Sequence, residues 1–272
     1  LDFHEEKKLQ NPEYGYNYGH FTIADNYSIS GSRLRDILAT YHKGTVWYER
    51  DILGKRKVAE GIIFRYFADC PDAQLQEWFE VRIKQAQRAG KKKWLDRITI
   101  GIDFGGNGSK TTFVMMGWLN GYRNLFVLEE DSLPVTEEVD SKRICDKFVE
   151  FYRMVIGQYG DVDWIFPDSA STTMINSLRN AAKSAGLPWR SISGCRKNPI
   201  TERPKTVDML FSMGRLMISR RCTSVIGAIS RLRWDPDHPD QPEDKNIANC
   251  NDWWDAFCYC WLDFVEYVDL GR

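Results

Sequence analysis

The sequence contains no apolar run that approaches the ~18 residues of a membrane-spanning helix. This absence, together with a charged fraction of 28%, argues against a membrane protein. The sequence also lacks an excess of either charge, since 37 Lys and Arg residues stand against 38 Asp and Glu residues. A chain with a formal net charge of −1 is not a globally basic nucleic-acid binder. Any polyanion that it binds must therefore be held by a local basic patch or through metal ions.

Histidines and clustered cysteines are also scarce. The chain has four histidines and seven scattered cysteines with no CxxC pair among them, so it does not predict a structural zinc site. An odd number of cysteines in 272 residues is typical of a reducing compartment rather than of a disulfide-stabilised fold. The chain opens on Leu1 without an initiator methionine, and we expect it to be a fragment or a processed chain.

Hydrophobic residues make up 43% of the sequence and aromatic residues 13%, which is enough for a substantial core. A length of 272 residues predicts one large domain, alone or with a small appendage. Three apolar segments joined by short connections predict an antiparallel meander, after which helices and strands alternate in the order βββαβαβα. This order predicts an α/β fold with a mixed sheet, three antiparallel strands followed by parallel strands, and helices on both faces.

The individual elements follow from apolar periodicity and from Gly, Pro and polar breaks. Strands are predicted over residues 58–66, 97–104, 111–119, 125–129, 162–166, 189–193 and 226–234. Helices are predicted over residues 33–41, 72–89, 137–159, 172–185, 206–218 and 252–268.

One predicted strand carries a carboxylate, in the segment Ile100-Gly-Ile-Asp-Phe-Gly-Gly-Asn-Gly-Ser-Lys. The charge of Asp103 is costly in a buried strand unless a neighbouring group compensates it. Two interpretations are open. Asp103 is either hydrogen-bonded to the amides of the glycine turn or a metal ligand, with glycines that let backbone or phosphate approach closely.

The same glycine-rich turn resembles two nucleotide-binding motifs. Gly108-Ser-Lys-Thr resembles the end of a P-loop, but Ser109 stands where that motif has glycine, and a strand is predicted to follow instead of a helix. We therefore reject the P-loop. Ile102-Asp-Phe-Gly-Gly resembles the first phosphate loop of the actin-like sugar kinases and Hsp70 ATPases, whose fold has the same three-strand start. Those proteins need a second Asp-Gly-rich phosphate loop and a glycine pair for adenosine, which this sequence lacks. An actin-like ATP-dependent kinase stays the main alternative enzyme.

Further carboxylates occur at one strand end and on one late helix. Asp168 follows the apolar strand 162–166, and ligands of open α/β sheets bind at such strand ends. Taken alone, Asp168 is better explained as the N-cap of the next helix. Asp252 and Asp255 lie at i and i+3 on one face of an aromatic-rich helix. Asp252 suits a first-turn charge that complements the helix dipole, whereas Asp255 lies deeper among tryptophans and needs a cation.

Asp103, Asp168 and Asp255 together form the set that a two-metal phosphodiester site requires. Divalent ions about 3.5–4 Å apart are bridged and charge-balanced by oxygen ligands. One ion lowers the pKa of the attacking water, and the other stabilises the leaving alkoxide. Carboxylates alone repel phosphate, so such a site depends on its ions to bind DNA.

Six short segments connect these carboxylates to a known family. They are Asp25-Asn-Tyr-Ser-Ile-Ser, Tyr48-Glu-Arg-Asp-Ile-Leu-Gly-Lys-Arg-Lys-Val-Ala-Glu-Gly-Ile-Ile-Phe, Ile100-Gly-Ile-Asp-Phe-Gly, Met217-Ile-Ser-Arg-Arg-Cys, Leu232-Arg-Trp-Asp and Asp255-Ala-Phe-Cys-Tyr. In order and spacing, they resemble segments of the large terminase subunit of tailed bacteriophages, and the resemblance covers most of the chain. The nuclease domain of that family has an RNase H-like fold.

The resemblance implies an enzyme and its ligands. Asp103, Asp168 and Asp255 would be the catalytic metal carboxylates of an endonuclease, with Asp103 bridging two Mg²⁺ or Mn²⁺ ions. The family often has His-x-x-Asp where this chain has Asp252-Trp-Trp-Asp. Asp252 therefore has three possible roles: to ligate a metal ion, to orient a water molecule, or to cap the helix.

The resemblance also implies a domain organisation and partners. Since no Walker A or Walker B motif is present, residues 1–56 would be a remnant of the ATPase side and its linker, and residues 57–272 the nuclease domain. The substrate would be double-stranded DNA, cut with little sequence specificity in the host cytoplasm during virus assembly. The portal protein and the small terminase subunit would be partners, and the isolated fragment would be a monomer.

Basic residues that could contact the duplex backbone are spread over the second half of the chain and one lysine run. Phosphate contacts of this kind give affinity without sequence readout. A solvated surface is the alternative for each residue, and for Lys91, Lys92 and Lys93 the two explanations are equally good. They are Lys91, Lys92, Lys93, Arg196, Lys197, Arg203, Lys205, Arg220, Arg221, Arg231 and Arg233. A DNA- or portal-docking module with purely structural carboxylates is the non-enzymatic alternative.

Overall fold

The computed structural model describes residues 10–11, 13, 19–55, 57, 59–74, 94–105, 109–133, 140–197, 199–243 and 250–270. The chain divides into two compact units, residues 1–58 and residues 59–272. No helix within the described ranges is both long enough and apolar enough to cross a membrane.

The first unit contains short helical elements. They are a 3-10 turn at Ile23–Asp25, helix α1 at Gly31–Leu38 and a π-helical turn at Tyr48–Ile52. Helix α1 begins two residues before the predicted start because Ser30 caps it, its Oγ accepting the N–H of Arg33 at 3.4 Å. The origin of this unit as a remnant of an ATPase stays a prediction.

The second unit contains the sheet. Its strands are β1 at Arg97–Asp103, β2 at Thr111–Leu119, β3 at Asn124–Leu133, β4 at Trp164–Pro167 and β5 at Leu216–Ile218. Its helices are α2 at Arg65–Asp69, α3 at Ser141–Tyr159, α4 at Thr172–Ser184, α5 at Glu202–Ser212, α6 at Thr223–Arg231, α7 at Cys250–Tyr259 and α8 at Val265–Leu270. Short 3-10 turns lie at Pro71–Gln74 and Leu262–Phe264.

Strands β1, β2 and β3 form the predicted antiparallel meander, and β4 and β5 add parallel strands at its sides in the order β4-β1-β2-β3-β5. Beyond β4, the segment predicted as a strand over residues 189–193 pairs with the sheet through one parallel bridge, Ile165 to Ile192. This mixed sheet with its helices confirms the predicted RNase H-like fold class. The carboxyl ends of β1, β3, β4 and β5 all lie at one end of the sheet, called the carboxylate end below because Asp103 and Asp168 lie there.

The two faces of β1 pack against different helices, because alternate side chains of a strand point to opposite faces. Ile98, Ile100 and Ile102 are fully buried in the main core cluster, which also contains Phe148 and Phe151 of α3. The ring of Phe151 lies 5.7 Å from that of Phe113 on β2. Helix α3 therefore covers the isoleucine face of the sheet.

Helix α7 covers the other face and approaches β1 very closely. A Cβ atom at Gly101 would come within 1.9 Å of the carbonyl oxygen of Ala256, so only glycine permits this crossing. The thiol of Cys260 donates to the carbonyl of Val114 on β2 at 3.2 Å. Because Asp103 has the same strand parity as Gly101, it faces α7 and the carboxylates that this helix carries.

Two predicted strands are wrong. Among the described residues 59–66, one isolated bridge is present, from Ile62 to Arg233, which lies outside the sheet. A longer strand does not form because Gly61 adopts a φ of +73° and bends the chain before α2 begins. Residues 226–234 fall mainly in α6, where Val225, Ala228 and Ile229 are buried. That i, i+3, i+4 spacing is helical, and it outweighs the strand propensity of the β-branched residues.

Two predicted helices are shorter than expected. The helix predicted over residues 206–218 ends at Ser212, because Gly214 adopts a φ of +62° and the chain then enters β5. The helix predicted over residues 252–268 breaks after Tyr259 into a 3-10 turn and α8. Of the helix predicted over residues 72–89, only the first residues are described, as part of the 3-10 turn at Pro71–Gln74; the rest lies outside the described residues.

Candidate metal centre

Asp103 is the last residue of β1 and lies opposite Thr112 of β2. Its side chain is half-buried, because α7 covers this face of the strand. Burial raises the pKa of Asp103 well above its usual value, and the negative charges of Asp255, Asp252 and Asp168 raise it further, while Arg203 opposes the rise. The strand therefore ends on a carboxylate whose ionised form lacks sufficient positive charge around it.

Asp168 follows β4 directly. Its N–H donates to the carbonyl of Ile102 at 2.9 Å, and its Oδ1 accepts the N–H of Ala170 at 3.0 Å. Asp168 is not the N-cap of α4, since the side chain of Ser171 has that role and accepts the N–H of Met174 at 3.4 Å. Because β1 and β4 are adjacent and parallel, Asp103 and Asp168 leave the sheet side by side.

Asp252 lies in the first turn of α7 and forms hydrogen bonds with residues that follow the glycine-rich segment. Its Oδ2 accepts the N–H of Lys110 at 2.9 Å, and its backbone carbonyl accepts the hydroxyl of Thr112 at 2.9 Å. Burial raises the pKa of Asp252, and the hydrogen bond from Lys110 opposes the rise. These two bonds fasten the start of α7 to the start of β2.

Asp255 lies one helical turn beyond Asp252, with 31% of its side chain exposed. Its Oδ1 accepts a hydrogen bond of 2.7 Å from Nη1 of Arg203, whose side chain is only 8% exposed. Arg203 comes from α5, so this ion pair joins two helices at the carboxylate end of the sheet. In the protein alone, the positive charge beside the half-buried Asp255 is thus supplied by an arginine.

The pKa values of two neighbouring groups, Tyr259 and Cys195, are also shifted. Burial raises the pKa of Tyr259, and the charges of Asp255, Asp103 and Asp168 raise it further. Burial also raises the pKa of the Cys195 thiol to about 12. The structure thus brings all four predicted acidic residues into one electrostatic neighbourhood.

The oxygen donors of this site fit a hard divalent cation, which prefers carboxylate and water ligands. Within the described ranges, no group of three or more His, Cys, Asp or Glu side chains is arranged to hold a metal ion as it stands. Asp168, Asp252 and Asp255 each accept a hydrogen bond from a protein group instead. Metal binding would therefore require side-chain movement, above all of Asp255 away from Arg203.

A cavity of about 410 Å³ opens beside Asp255. Trp254 of α7 lines this cavity, together with three residues of the loop between α6 and α7, namely Asp235, His238 and Glu243. The described part of this loop thus lies next to the carboxylates, and residues 244–249 lie outside the described residues.

Six of the predicted DNA-contacting residues are exposed, namely Arg196, Lys197, Arg220, Arg221, Arg231 and Arg233. Arg196 and Lys197 follow Cys195, whose N–H donates to the carbonyl of Pro167 at 2.8 Å, and therefore lie near Asp168. Arg220 and Arg221 follow β5 and lie at the same end of the sheet, about three strand spacings or 14 Å from β1.

Some of these basic residues already contact acidic residues. Arg196 lies 3.3 Å from Glu266, Arg220 lies 3.1 Å from Asp72, and Arg221 lies 2.9 Å from Glu129. The pairs of Arg196 and Arg220 are exposed on both sides, and exposed pairs of this kind contribute little and exchange readily. The partner of Arg221 is only 13% exposed, and Arg221 also donates to the hydroxyl of Tyr159 at 3.3 Å, so this pair is more firmly held. Lys205 is half-buried and Arg203 is buried, whereas Lys91, Lys92 and Lys93 lie outside the described residues.

No family model and no curated protein matches this sequence. The structure, in contrast, is similar to the large terminase of the thermophilic bacteriophage D6E, with a TM-score of 0.65 and 18% identity over 95% of this chain and 56% of that chain. The same terminase in complex with ADP gives a TM-score of 0.67 and 17% identity over 96% and 58%. The chain has the fold of a large terminase.

That likeness extends over nearly the whole chain, whereas the chain spans little more than half of the terminase structures. The nuclease domain of the bacteriophage SPP1 large terminase, a structure with bound Mn, is also similar, with a TM-score of 0.45 and 20% identity over 63% of this chain and 89% of that one.

The sequence did not predict that Arg203 forms a buried ion pair with Asp255. Arg203 precedes Val207 and Leu210 by four and seven positions on α5, and all three are buried. A charged residue in register with a buried apolar stripe is a signal for a buried ion pair. The spacing alone, however, does not identify Asp255 as the partner, because 52 positions separate the two residues.

Proposed function

We propose that this chain is the metal-dependent endonuclease region of a viral DNA-packaging large terminase, which cuts double-stranded DNA with little sequence specificity. The observation that carries the proposal is the meeting of Asp103, Asp168 and Asp255, from two adjacent strands and one helix, at one end of an RNase H-like sheet. The terminase fold over 95% of the chain supports it and disfavours an actin-like kinase.

Each carboxylate has a distinct place in the proposed site. Asp103 is central, since the charges of Asp168, Asp252 and Asp255 all act on it, and it is the residue best suited to bridge two ions. Asp168 is oriented by the N–H of Ala170, and Asp255 by its position on α7. Two bound Mg²⁺ or Mn²⁺ ions would supply an activated water and stabilise the leaving oxygen.

The exposed basic residues at the same end of the sheet are proposed to hold the duplex. Arg196 and Lys197 flank the carboxylates on the β4 side, and Arg220 and Arg221 lie beyond β5. Contacts from these side chains to phosphates fix the position of the backbone without reading bases. The carboxylates themselves repel phosphate, which makes bound metal ions a condition for productive binding.

The wider context is part of the same proposal. The chain would act in the host cytoplasm during virus assembly, with the portal protein and the small terminase subunit as partners of the whole motor, and would be a monomer in isolation. Residues 1–58 would connect it to the ATPase part of that motor.

Nicking of supercoiled plasmid by the 272-residue chain tests the proposal. We expect nicking with Mn²⁺ or Mg²⁺, none with EDTA, and none in Asp103→Ala. Asp96→Asn is a matched control, because Asp96 is exposed at the opposite end of the sheet and Asn retains the acceptor for the N–H of Gly121. ATP turnover without nicking would favour the kinase, and the absence of both activities would favour the docking module.

A further inference from the structure

Arg203 is buried although nothing in the apolar packing of α5 requires a charge there. It has 7% of its surface exposed and lies on the same helix face as Val207 and Leu210. A buried guanidinium is costly unless an anion compensates it. Its place at the carboxylate end of the sheet therefore points to a role connected with the acidic residues.

The contacts of Arg203 leave part of its donor capacity unused. One nitrogen, Nη1, donates to Asp255 at 2.7 Å, and the guanidinium carbon lies 5.9 Å from the ring centre of Tyr259. Within the part of the chain that the structure describes, the buried Nε makes no hydrogen bond. The pair is thus a single charge-assisted bond rather than the two-pronged arrangement that arginine forms with carboxylates at its strongest.

Arg203 and a divalent ion would need the same ligand. Asp255 Oδ1 carries the bond to Arg203, and the positive charge of Arg203 also acts on Asp103. A cation that enters between these carboxylates must displace the guanidinium from Asp255 and bind against its repulsion. Solvent screens that repulsion weakly, because the side chain of Arg203 is only 8% exposed.

We propose that Arg203 is a positioning residue that competes with divalent metal ions for Asp255. The inference rests on the proposed function, since it concerns the same carboxylates. Arg203 neutralises Asp255 in the metal-free protein, and metal binding releases the guanidinium, whose free donors then lie beside the position where a phosphate would bind. The competition keeps metal affinity low until the guanidinium has an alternative anion, so DNA and metal would bind cooperatively.

Mn²⁺ titration of the 272-residue chain without DNA, followed by electron paramagnetic resonance of the free ion, tests this directly. Arg203→Met removes the charge and keeps a long side chain beside Tyr259, and we expect it to bind Mn²⁺ about tenfold more tightly than the unaltered chain. Arg203→Lys retains the charge and should stay within about twofold. Arg215→Met is the matched control, because Arg215 is an equally buried arginine that donates to backbone carbonyls at the opposite end of the sheet.

A second background shows whether the effect passes through Asp255. In Asp255→Asn, the substitution Arg203→Met should no longer tighten Mn²⁺ binding, since the shared ligand is gone. If Arg203→Met melts below the assay temperature, Arg203→Gln provides a neutral variant that can still donate a hydrogen bond, and the same tightening is expected. Equal or weaker Mn²⁺ affinity in both folded neutral variants overturns the proposal.

Failure of the competition and failure of the proposed function give different results. If the unaltered chain binds Mn²⁺ and the neutral variants bind it no more tightly, the competition is wrong and the nuclease site stands. If neither the unaltered chain nor any Arg203 variant binds Mn²⁺, the metal site itself is wrong. A final readout is cooperativity: a non-cleavable phosphorothioate duplex should tighten Mn²⁺ binding in the unaltered chain and much less in Arg203→Met.

Discussion

The two ends of the five-stranded sheet differ in how their charged side chains are compensated. At the end opposite the carboxylates, the guanidinium of Arg97 lies 4.8 Å from the ring centre of Tyr122 and 5.4 Å from that of Trp164. There Arg215 donates to the carbonyl of Arg123 at 2.7 Å, and Asp163 accepts the N–H of Ile98 at 2.8 Å. Each of these three charges has a fixed partner that is an aromatic ring or a backbone group.

At the carboxylate end, charges of the same sign face one another. Asp103 lies among three other carboxylates that raise its pKa, and Arg203 offsets only part of their charge. The charges at the opposite end are thus compensated, whereas the carboxylate end leaves like charges together, as the proposed metal site requires. This difference, rather than burial, separates a structural charge from a candidate functional one in this fold, since Arg203 and Arg215 are both buried and lie at opposite ends.

The largest expected effect is at Asp103, where activity and stability should move in opposite directions. Asp103→Asn removes a proposed metal ligand, and we expect nicking to fall by about 10³-fold. The same change removes a charge whose ionised form is costly, so the metal-free chain should become more stable by about 1 kcal/mol, or 2–4 °C in Tm. Plasmid nicking and thermal unfolding in EDTA measure the two effects.

The comparison fails if Asp103→Asn lowers Tm. That result would show that Asp103 is held by favourable contacts like those of Asp163, and that it belongs with the structural charges. Asp163→Asn is the matched variant at the opposite end, because Asn keeps the acceptor for Ile98, and it should change neither nicking nor Tm appreciably.

The second expected effect is at Arg215 and is confined to stability. Arg215 is 4% exposed and donates to two backbone carbonyls, those of Arg123 and Tyr122. Arg215→Met leaves these carbonyls without their donor, so we expect a loss of about 2–3 kcal/mol in the free energy of unfolding. Urea unfolding gives this value, and Mn²⁺ affinity should stay unchanged in the folded protein.

An Arg215→Met protein with altered Mn²⁺ affinity would contradict the separation of the two ends. Arg215→Lys is the appropriate companion, since it retains a charge but loses the fork of donors. It should fall between Met and the native residue in stability.

Strands β1 to β4 could be predicted because they are apolar segments bounded by turns, whereas β5 lies within the helix predicted over residues 206–218. Strand β2 begins and ends at the predicted residues, Thr111 and Leu119, and β1 ends one residue early at Asp103. The strand predicted over residues 226–234 is wrong for a physical reason: β-branched residues suit both a strand and a buried helix face, and only packing decides between them.

Asp103 and Asp255 could be identified as candidates because each breaks a local pattern. Asp103 interrupts an apolar strand, and Asp255 lies among aromatic residues on α7. Their partners could not be predicted in the same way. The bonds from Arg203 to Asp255 and from Lys110 to Asp252 join residues 52 and 142 positions apart, so they depend on the fold and leave no trace in local spacing.

The third prediction distinguishes a structural role of Asp252, as the acceptor for the N–H of Lys110, from a role as a metal ligand. Because its carboxylate accepts the N–H of Lys110, Asp252→Asn keeps that bond, and we expect nicking to fall by less than about tenfold through the lost neighbouring charge alone. Asp252→Ala also loses the bond, which should cost about 1–2 kcal/mol of stability. Nicking assays and urea unfolding of both variants measure this, and a loss in Asp252→Asn as large as that in Asp103→Asn would make Asp252 a metal ligand.

The smallest expected effect compares one exposed cation at each end of the sheet. Arg196 lies next to the strand end of Asp168, and its weak, exposed pair with Glu266 leaves it available to phosphate. Arg196→Ala should weaken duplex binding about two- to fivefold and lower the slope of log affinity against log salt by about 0.9, the value for one phosphate contact.

Lys183 is the matched control for Arg196, because it is exposed near the end of α4 and packs over the ring of Trp189 at 5.9 Å, at the opposite end of the sheet. Fluorescence anisotropy of a labelled duplex between 50 and 200 mM salt, about the range over which such slopes are resolved, compares the two variants in Ca²⁺ to prevent cleavage. Lys183→Ala should leave the slope unchanged. If Arg196→Ala also leaves the slope unchanged, Arg196 does not contact phosphate. That result would count against DNA binding at the carboxylate end and against DNA as the substrate of the acidic site.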